Sequence, residues 1–374
     1  MRDVVIVGAG PVGSLLAILL AQRGVSVEVV EARATGSAHS RAIGIHPPAI
    51  EALARAGVAD AALDRGIPIT HGQVLCDGSV LGSLDFVEAG AAYPFVLSLP
   101  QRHTEGLLAD RLEQVAPGAV RRGVRFTGMI DHGDRVTVDT DAGPITARYV
   151  VGADGARSTV RSVAGIGWTA RGDRRHYVMA DYDDDLAHPH RALLYFERGG
   201  VVESFPLPES RRRWVAMTDR DWSGAGSADL ADLIGDRTGV RPPTGGGPVS
   251  AFSVRQHLAA RMVLGRVVLV GDAAHEISPI GGQGMNLGWL DVIDLAPALE
   301  DALGAGGRNS AALAAFDTRR RRSARTASLQ AAFNMGMGRP AAGVRLAARN
   351  AIVRSLAVPP TRAIAARAFT MRWL

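Results

Sequence analysis

Residues 8–13, Gly8-Ala9-Gly10-Pro11-Val12-Gly13, stand between a short β-branched run, residues 4–7, and a stretch, residues 14–23, that reads as a helix. Gly24 stops that helix, residues 25–30 supply a second strand, and Glu31 follows it. Each part of this strand, turn, helix, strand, acid unit has a physical task. The glycines let backbone approach a pyrophosphate, the helix start offers unpaired N–H groups, and the acid accepts ribose hydroxyls. A dinucleotide site on Gly8, Gly10, Gly13 and Glu31 is therefore expected, in a Rossmann-like α/β fold.

The chain has 374 residues, more than one core comfortably holds, so two joined domains are expected. It contains no lysine: all 42 Lys+Arg residues are arginine, which carries the net charge of +5. Without lysine there is no Schiff-base chemistry and no Walker phosphate loop. The run Arg319, Arg320, Arg321, Arg322 lacks interleaved aromatics and reads as a solvated helix face, so nucleic acid is not an expected partner. A single cysteine, Cys76, excludes an intrachain disulfide and multi-cysteine metal sites, which fits a reducing cytoplasm. The N-terminal apolar stretch superficially mimics a signal peptide, but its cleavage would destroy the glycine turn. No apolar run reaches the roughly 18 residues of a membrane span.

Farther along, residues 47–65 and 104–115 have helical spacing, and residues 73–86 and 135–151 read as hairpins. Residues 191–196, 201–205 and 213–217 alternate as strands, and residues 267–270 form another before a glycine-rich turn and a helix over 287–303. From Ser310 onward the chain is largely helical.

Two further motifs follow the glycine turn. One is residues 150–161, with Gly152-Ala153-Asp154-Gly155 at its centre; the other is Gly271-Asp272-Ala273-Ala274-His275, continuing through Pro279 and Gly281-Gly282-Gln283-Gly284-Met285-Asn286 to Asp291. In this order and spacing the three motifs strongly resemble the single-component FAD-dependent aromatic hydroxylases, the para-hydroxybenzoate hydroxylase type, close to polyketide hydroxylases. The similarity spans about residues 1–335. It implies an α/β fold with a Rossmann-like FAD-binding domain (1–66, 99–165 and 263–335), an inserted, mainly β substrate domain (67–98 and 166–262) and C-terminal helices (336–374). A short form without the thioredoxin-like extension of some such hydroxylases is expected, with a helical tail suited to cover the active site, to make a dimer contact or to touch a membrane surface.

By the same resemblance, Gly8, Gly10 and Gly13 wrap the FAD pyrophosphate and Glu31 holds the adenosine ribose. Arg41 lies along the phosphate and ribose, Gln101 contacts FAD at a helix start, Asp154 serves FAD and nicotinamide contacts, and Asp272 bonds the ribitol chain. Arg33 stands where NADH is told from NADPH. Gly282, Gly284, Met285 and Asn286 begin a helix whose N–H groups suit the charge of a reduced flavin, and Pro279 lies near flavin and substrate. The implied chemistry is NAD(P)H-dependent monooxygenation through a C4a-hydroperoxyflavin on a small aromatic or polyketide-like substrate, with non-covalent FAD and no metal. Same-fold alternatives are epoxidation, Baeyer–Villiger oxidation and isoprenoid reduction; a non-catalytic FAD-fold binding protein is the alternative of another class. Tyr195, Phe205, Trp214 and Met217 are candidate substrate contacts, as are Phe252 and Arg255, although alternating apolar residues are commonly core. His275 has no metal-ligand spacing and reads as packing or flavin-adjacent. A monomer or homodimer is expected, and no general base is assigned.

Overall fold

The computed structural model describes residues 1–36, 42–184, 186, 188–243, 246–277, 282–305 and 310–373. The chain opens with β1 (Arg2–Val7), α1 (Pro11–Ala21) and β2 (Val27–Glu31). Val4, Val5 and Ile6 are fully buried, because β1 is central, pairing in parallel with β2 on one side and with residues 147–152 on the other. Next come β3 (Gly44–Ile45), α2 (Pro47–Ala56), α3 (Ala59–Arg65), β4 (Ile67–Ile69), β5 (His71–Cys76), β6 (Ser79–Asp85), β7 (Val96–Ser98) and α4 (Gln101–Val115). Then β8 (Val120–Arg122), β9 (Phe126–Asp131), β10 (Val136–Thr140), β11 (Ile145–Gly152) and α5 (Thr159–Val163) complete the first half. Both hairpins expected from sequence form, as β5–β6 and β10–β11.

The middle of the chain holds β12 (Trp168–Asp183), β13 (Arg191–Glu197), β14 (Gly200–Leu207), β15 (Arg211–Thr218), α6 (Ser227–Thr238) and β16 (Ser250–Ala259). Finally β17 (Val263–Leu264), β18 (Val267–Leu269) and β19 (His275–Glu276) lead to α7 (Gln283–Gly304), α8 (Ala311–Met337), α9 (Gly343–Leu356) and α10 (Thr361–Phe369).

The first sheet runs β17-β18-β11-β1-β2-β8, with the β9–β10 hairpin attached through β11; the second runs β19-β16-β12-β15-β14-β13-β5-β6. β5 and β6 thus share a sheet with β12–β16 although about eighty residues lie between them. A third, small sheet, β3-β7-β4, joins the two regions.

The second sheet has two unlike faces. On one, Val178, Ala180, Tyr182, Leu193, Val202 and Ala216 pack against Leu230, Ala231 and Ile234 of α6. Full burial of Leu230 and Ile234 contributes about 1.5–3 kcal/mol each. The opposite face, carrying Met179, Glu203, Phe205, Arg213 and Val215, turns toward the first sheet and encloses a cavity. The C-terminal helices lie along the outer edge of this sheet. α10 packs on β6 and brings Phe369 to stack on Phe86, ring centroids 5.2 Å apart, so the tail closes one end of the cavity. No described helix is long and apolar enough to cross a membrane.

The run Arg319 to Arg322 departs from expectation: Arg320 is buried, while Arg319 and Arg322 are exposed. The cause is a buried carboxylate on α7, described below.

Candidate active site

The cavity has a volume of about 710 Å³ and runs continuously from Glu31, Arg33 and Arg125 past Asp154 and Asp272 to the inner face of the second sheet. That size lies within the range of cofactor and ligand sites.

At its first end, the turn after β1 is held by close backbone approaches. Gly8 has φ +106°, and a Cβ there would sit 2.5 Å from the Ala153 carbonyl oxygen; one on Gly13 would sit 2.0 Å from the Gly8 carbonyl oxygen. Gly10 differs, having open space where its side chain would be. No side chain caps α1, so its first-turn N–H groups remain for an anionic ligand.

Glu31 accepts from the Ala9 N–H at 2.9 Å through Oε2 and, through Oε1, from the N–H and Nε of Arg33, both at 2.9 Å. Burial pushes its pKa up, but these donors and the guanidinium outweigh it and hold the carboxyl below its ordinary value. Gln101 begins α4 and donates to Glu105 at 2.7 Å on the same wall.

Asp154 caps the start of α5, accepting from the N–H groups of Thr159 (2.7 Å) and Val160 (3.1 Å) through Oδ2; its Oδ1 is buried without a partner. Arg161 was not assigned a role from sequence. It donates to the carbonyls of Ala156 and Ala273, both at 2.9 Å, and lies 3.8 Å over the Trp168 ring, tying the second motif to the third.

Asp272 opens into the cavity yet is ringed by protein atoms. Burial pushes its pKa up to about 6, His275 opposes the shift, and Glu276 and Asp291 add to it. Beneath it lies a network that sequence reasoning missed. Asp291 Oδ2 accepts the Gly271 N–H at 3.0 Å and faces His275 Nε2 at 2.6 Å, while Oδ1 accepts from Arg320 Nε at 2.9 Å. All three side chains are buried. Burial alone would raise the Asp291 pKa; His275 and Arg320 overcome it and keep the group ionised, so His275 Nε2 carries the proton toward it. His275 is therefore a packing residue behind the wall, and no metal cluster forms around it among the described residues.

The helix start on the third motif takes shape at Gly282, which has φ +66° and precedes α7. Gly282, Gly284 and Met285 line the cavity. A Cβ on Gly284 would be 3.8 Å from Asp272 Oδ1. Asn286 does not line it. Its Nδ2 donates to the Gly44 and Gly282 carbonyls (2.9 and 2.6 Å) and its Oδ1 accepts the His46 N–H at 2.8 Å, so its amide splices β3 and α2 to α7. Arg41 and Pro279 lie outside the described residues.

On the substrate side, Phe205 and Phe252 line the cavity as expected from their strands. Three expectations are corrected. Tyr195 and Trp214 stack on each other at 5.9 Å on the opposite face, under α6, and Met217 packs with Tyr177, Val201 and Met335 beyond the cavity. Tyr195 and Trp214 have the outward parity of their strands, which only the register between strands decides, whereas Met217 shares the parity of Arg213 and Val215 and sits farther along β15. The inward parity of β15 brings Arg213, paired with Asp181 at 2.7 and 2.9 Å. The inward parity of β14 brings Glu203, whose Oε1 is buried without a partner; burial pushes its pKa up to about 8. The readable signal was a lone acid amid the apolar run of residues 200–207.

Residues 1–331 match the model of the FAD binding domain family. The chain is similar to 6-methylpretetramide 4-monooxygenase of Streptomyces rimosus, 37% identical over 320 residues that cover 80% of this chain and 56% of that protein. It spans about six tenths of the length of the curated relatives it matches first. Its structure is similar to p-nitrophenol 4-monooxygenase of Pseudomonas putida DLL-E4 (TM-score 0.88, 25% identity, covering 100% of this chain and 97% of that one). It is similar as well to the anhydrotetracycline hydroxylase OxyS of Streptomyces rimosus (TM-score 0.82, 29% identity, 100% and 76% covered). With a family match over residues 1–331 and a glycine turn, Asp154 and Asp272 on one cavity, the chain belongs to the FAD-binding domain family and takes FAD as its cofactor.

Proposed function

We propose that this protein is a monooxygenase that uses NAD(P)H and O2 to hydroxylate a small aromatic or polyketide-like substrate. The observation that carries this reading is the continuity of one cavity from the dinucleotide turn to an apolar, aromatic-lined sheet face. The residues present fit FAD: open space over Gly10, an unpartnered Asp154 Oδ1, and Asp272 facing the start of α7. FAD, when bound, supplies hydride acceptance and activation of O2.

In this reading residues 1–66, 99–165 and 263–335 bind FAD, and residues 67–98 with 166–262 bind substrate. Gly8, Gly10, Gly13 and the start of α1 hold the pyrophosphate. Glu31 takes the ribose, and Arg33 beside it bears on the choice of nicotinamide cofactor. Asp272 takes the ribitol hydroxyls, and N–H groups at Gly282, Gly284 and Met285 stabilise negative charge on the reduced ring. Met179, Phe205, Val215, Phe252 and Phe369 orient the substrate ring and exclude water.

The test is NAD(P)H oxidation and O2 uptake by the purified yellow protein against phenolic, polyketide and isoprenoid compounds, with mass spectrometry of the products. A gain of one oxygen on an aromatic carbon is expected. Ester or epoxide products, or reduction without oxygen gain, would move the protein to another same-fold chemistry, and no nicotinamide-dependent turnover would overturn the reading.

A further inference from the structure

Glu203 lies near the middle of β14, opposite Val215 of β15 and Leu194 of β13, with its side chain on the face that closes the cavity. It is 4% exposed, and its Oε1 has no hydrogen-bond partner. Apolar residues that line the same cavity include Met179, Val215, Phe205 and Phe252 of the sheet and Phe369 of α10. Two charged residues of the same face, Arg213 of β15 and Asp181 of β12, are bound to each other. Burial raises its pKa. A carboxyl buried without a partner destabilises a fold, so its place in this wall, where the charged neighbours already satisfy each other, calls for a ligand that completes it.

Resting on the reading of the site as an aromatic hydroxylase, we propose that Glu203 binds a phenolic or enolic hydroxyl of the substrate and accepts its proton during oxygen transfer. The substrate O–H bond breaks, an O–H bond forms on the Glu203 carboxylate, and the electron pair left on oxygen enriches the ring carbon ortho or para to it. The proton returns when the product's hydroxyl re-forms. A group that titrates near pH 8 in the free cavity suits this exchange: a hydroxyl hydrogen bond favours its carboxylate form, and the resulting acid is weak enough to hold the proton. The substrate class is thereby narrowed to ring systems bearing a free hydroxyl next to or across from the reacting carbon.

The test uses the FAD-loaded protein without NAD(P)H, so that no turnover is needed. Phenol, 2-naphthol and an anthracenol are compared with their methyl ethers by quenching of flavin fluorescence, in wild type, Glu203→Met and Glu203→Leu. In wild type at least one hydroxyl compound binds about tenfold or more tightly than its ether, and in both variants the ratio falls to about one. Equal affinity within every pair in wild type, or a preference that survives in either variant, overturns the assignment. Both variants are expected to keep FAD and to melt no lower than wild type; loss of folding in both would overturn it too, by showing a carboxyl kept for packing. Where a hydroxylated product is found, Glu203→Gln lowers its rate about 100-fold and removes the rise in rate toward pH 8, and Glu203→Asp partly restores both. Failure of the hydroxylase reading appears separately, as absence of oxygenated product while the binding ratio still responds to Glu203.

Discussion

Along the wall made by β1, β2, β11 and the starts of α1 and α7, the cavity meets turns and helix ends whose glycines permit close approach; along the wall made by β12–β15 it meets alternate side chains of a sheet. A backbone wall demands glycine at fixed spacing, because a Cβ on Gly8 or Gly13 would overlap a carbonyl oxygen. A side-chain wall demands only that one parity of each strand be compatible with the ligand, and either parity looks alike in sequence. The first wall can vary little and the second can vary freely, which is how one cofactor site serves many substrates.

The largest expected effect lies behind the backbone wall. Arg320→Met leaves Asp291 buried without its cation and should cost about 3–5 kcal/mol, read as a lower melting temperature with FAD bound or absent. A loss under 1 kcal/mol would mean that the His275–Asp291 pair suffices alone. Gly13→Val comes next. Its Cβ would stand 2.0 Å from the Gly8 oxygen, so the turn must move; the variant should purify colourless and lose about 1–3 kcal/mol of stability. Retention of stoichiometric FAD would break the claim that this wall is backbone-determined.

Asp272→Ala removes a carboxyl that holds no hydrogen bond among the described residues. FAD should bind more weakly by about 1.5–3 kcal/mol, measured by titration of the apoprotein, with the melting temperature of that apoprotein unchanged or higher. A large fall in apoprotein stability would make Asp272 structural, like Asp291.

On the side-chain wall, Glu203 predicts a pH signature. Its folded pKa of about 8 exceeds the ordinary 4.5, so the folded state binds its proton more tightly than the unfolded state does. Stability from this group is full below pH 4.5 and is lost as pH rises toward 8, by at most about 1.4 kcal/mol per pH unit. Asp272 acts in the same sense only up to about pH 6 and His103, whose pKa is lowered, acts in the opposite sense, so Glu203 is read from the difference between wild type and Glu203→Met in thermal melts between pH 6 and 8. Glu203→Met should flatten that part of the curve; an unchanged slope would contradict the assignment of its ionisation. The smallest effect is expected for Tyr195→Phe, on the far face, which keeps the ring stacked on Trp214: under about 0.5 kcal/mol of stability and an unchanged kcat/KM. A changed kcat/KM would show that the α6 face reaches the substrate.

The same contrast accounts for what could be read in advance. Gly8, Asp154 and Asp272 lie far apart in the chain, yet each was legible because its motif places it at a strand end, and strand ends of the first sheet converge on the cavity. The strands of the second sheet were legible as strands. Their inward residues were not, since the choice between Tyr195 and Phe205, or Trp214 and Arg213, depends on pairing between strands. Asn286 was legible as important and misjudged in contact: its partners Gly44 and His46 precede it by some 240 residues. Arg320 hid among neighbouring arginines because its partner Asp291 is on another helix.

The most direct measurement is the fate of molecular oxygen. Turnover of an accepted substrate with NAD(P)H under oxygen-18 gas, followed by mass spectrometry, should give a product carrying one labelled oxygen atom on an aromatic carbon, formed only by the FAD-containing protein. A product whose new oxygen comes from water, or NAD(P)H consumption that yields hydrogen peroxide alone with every substrate tried, would contradict the account.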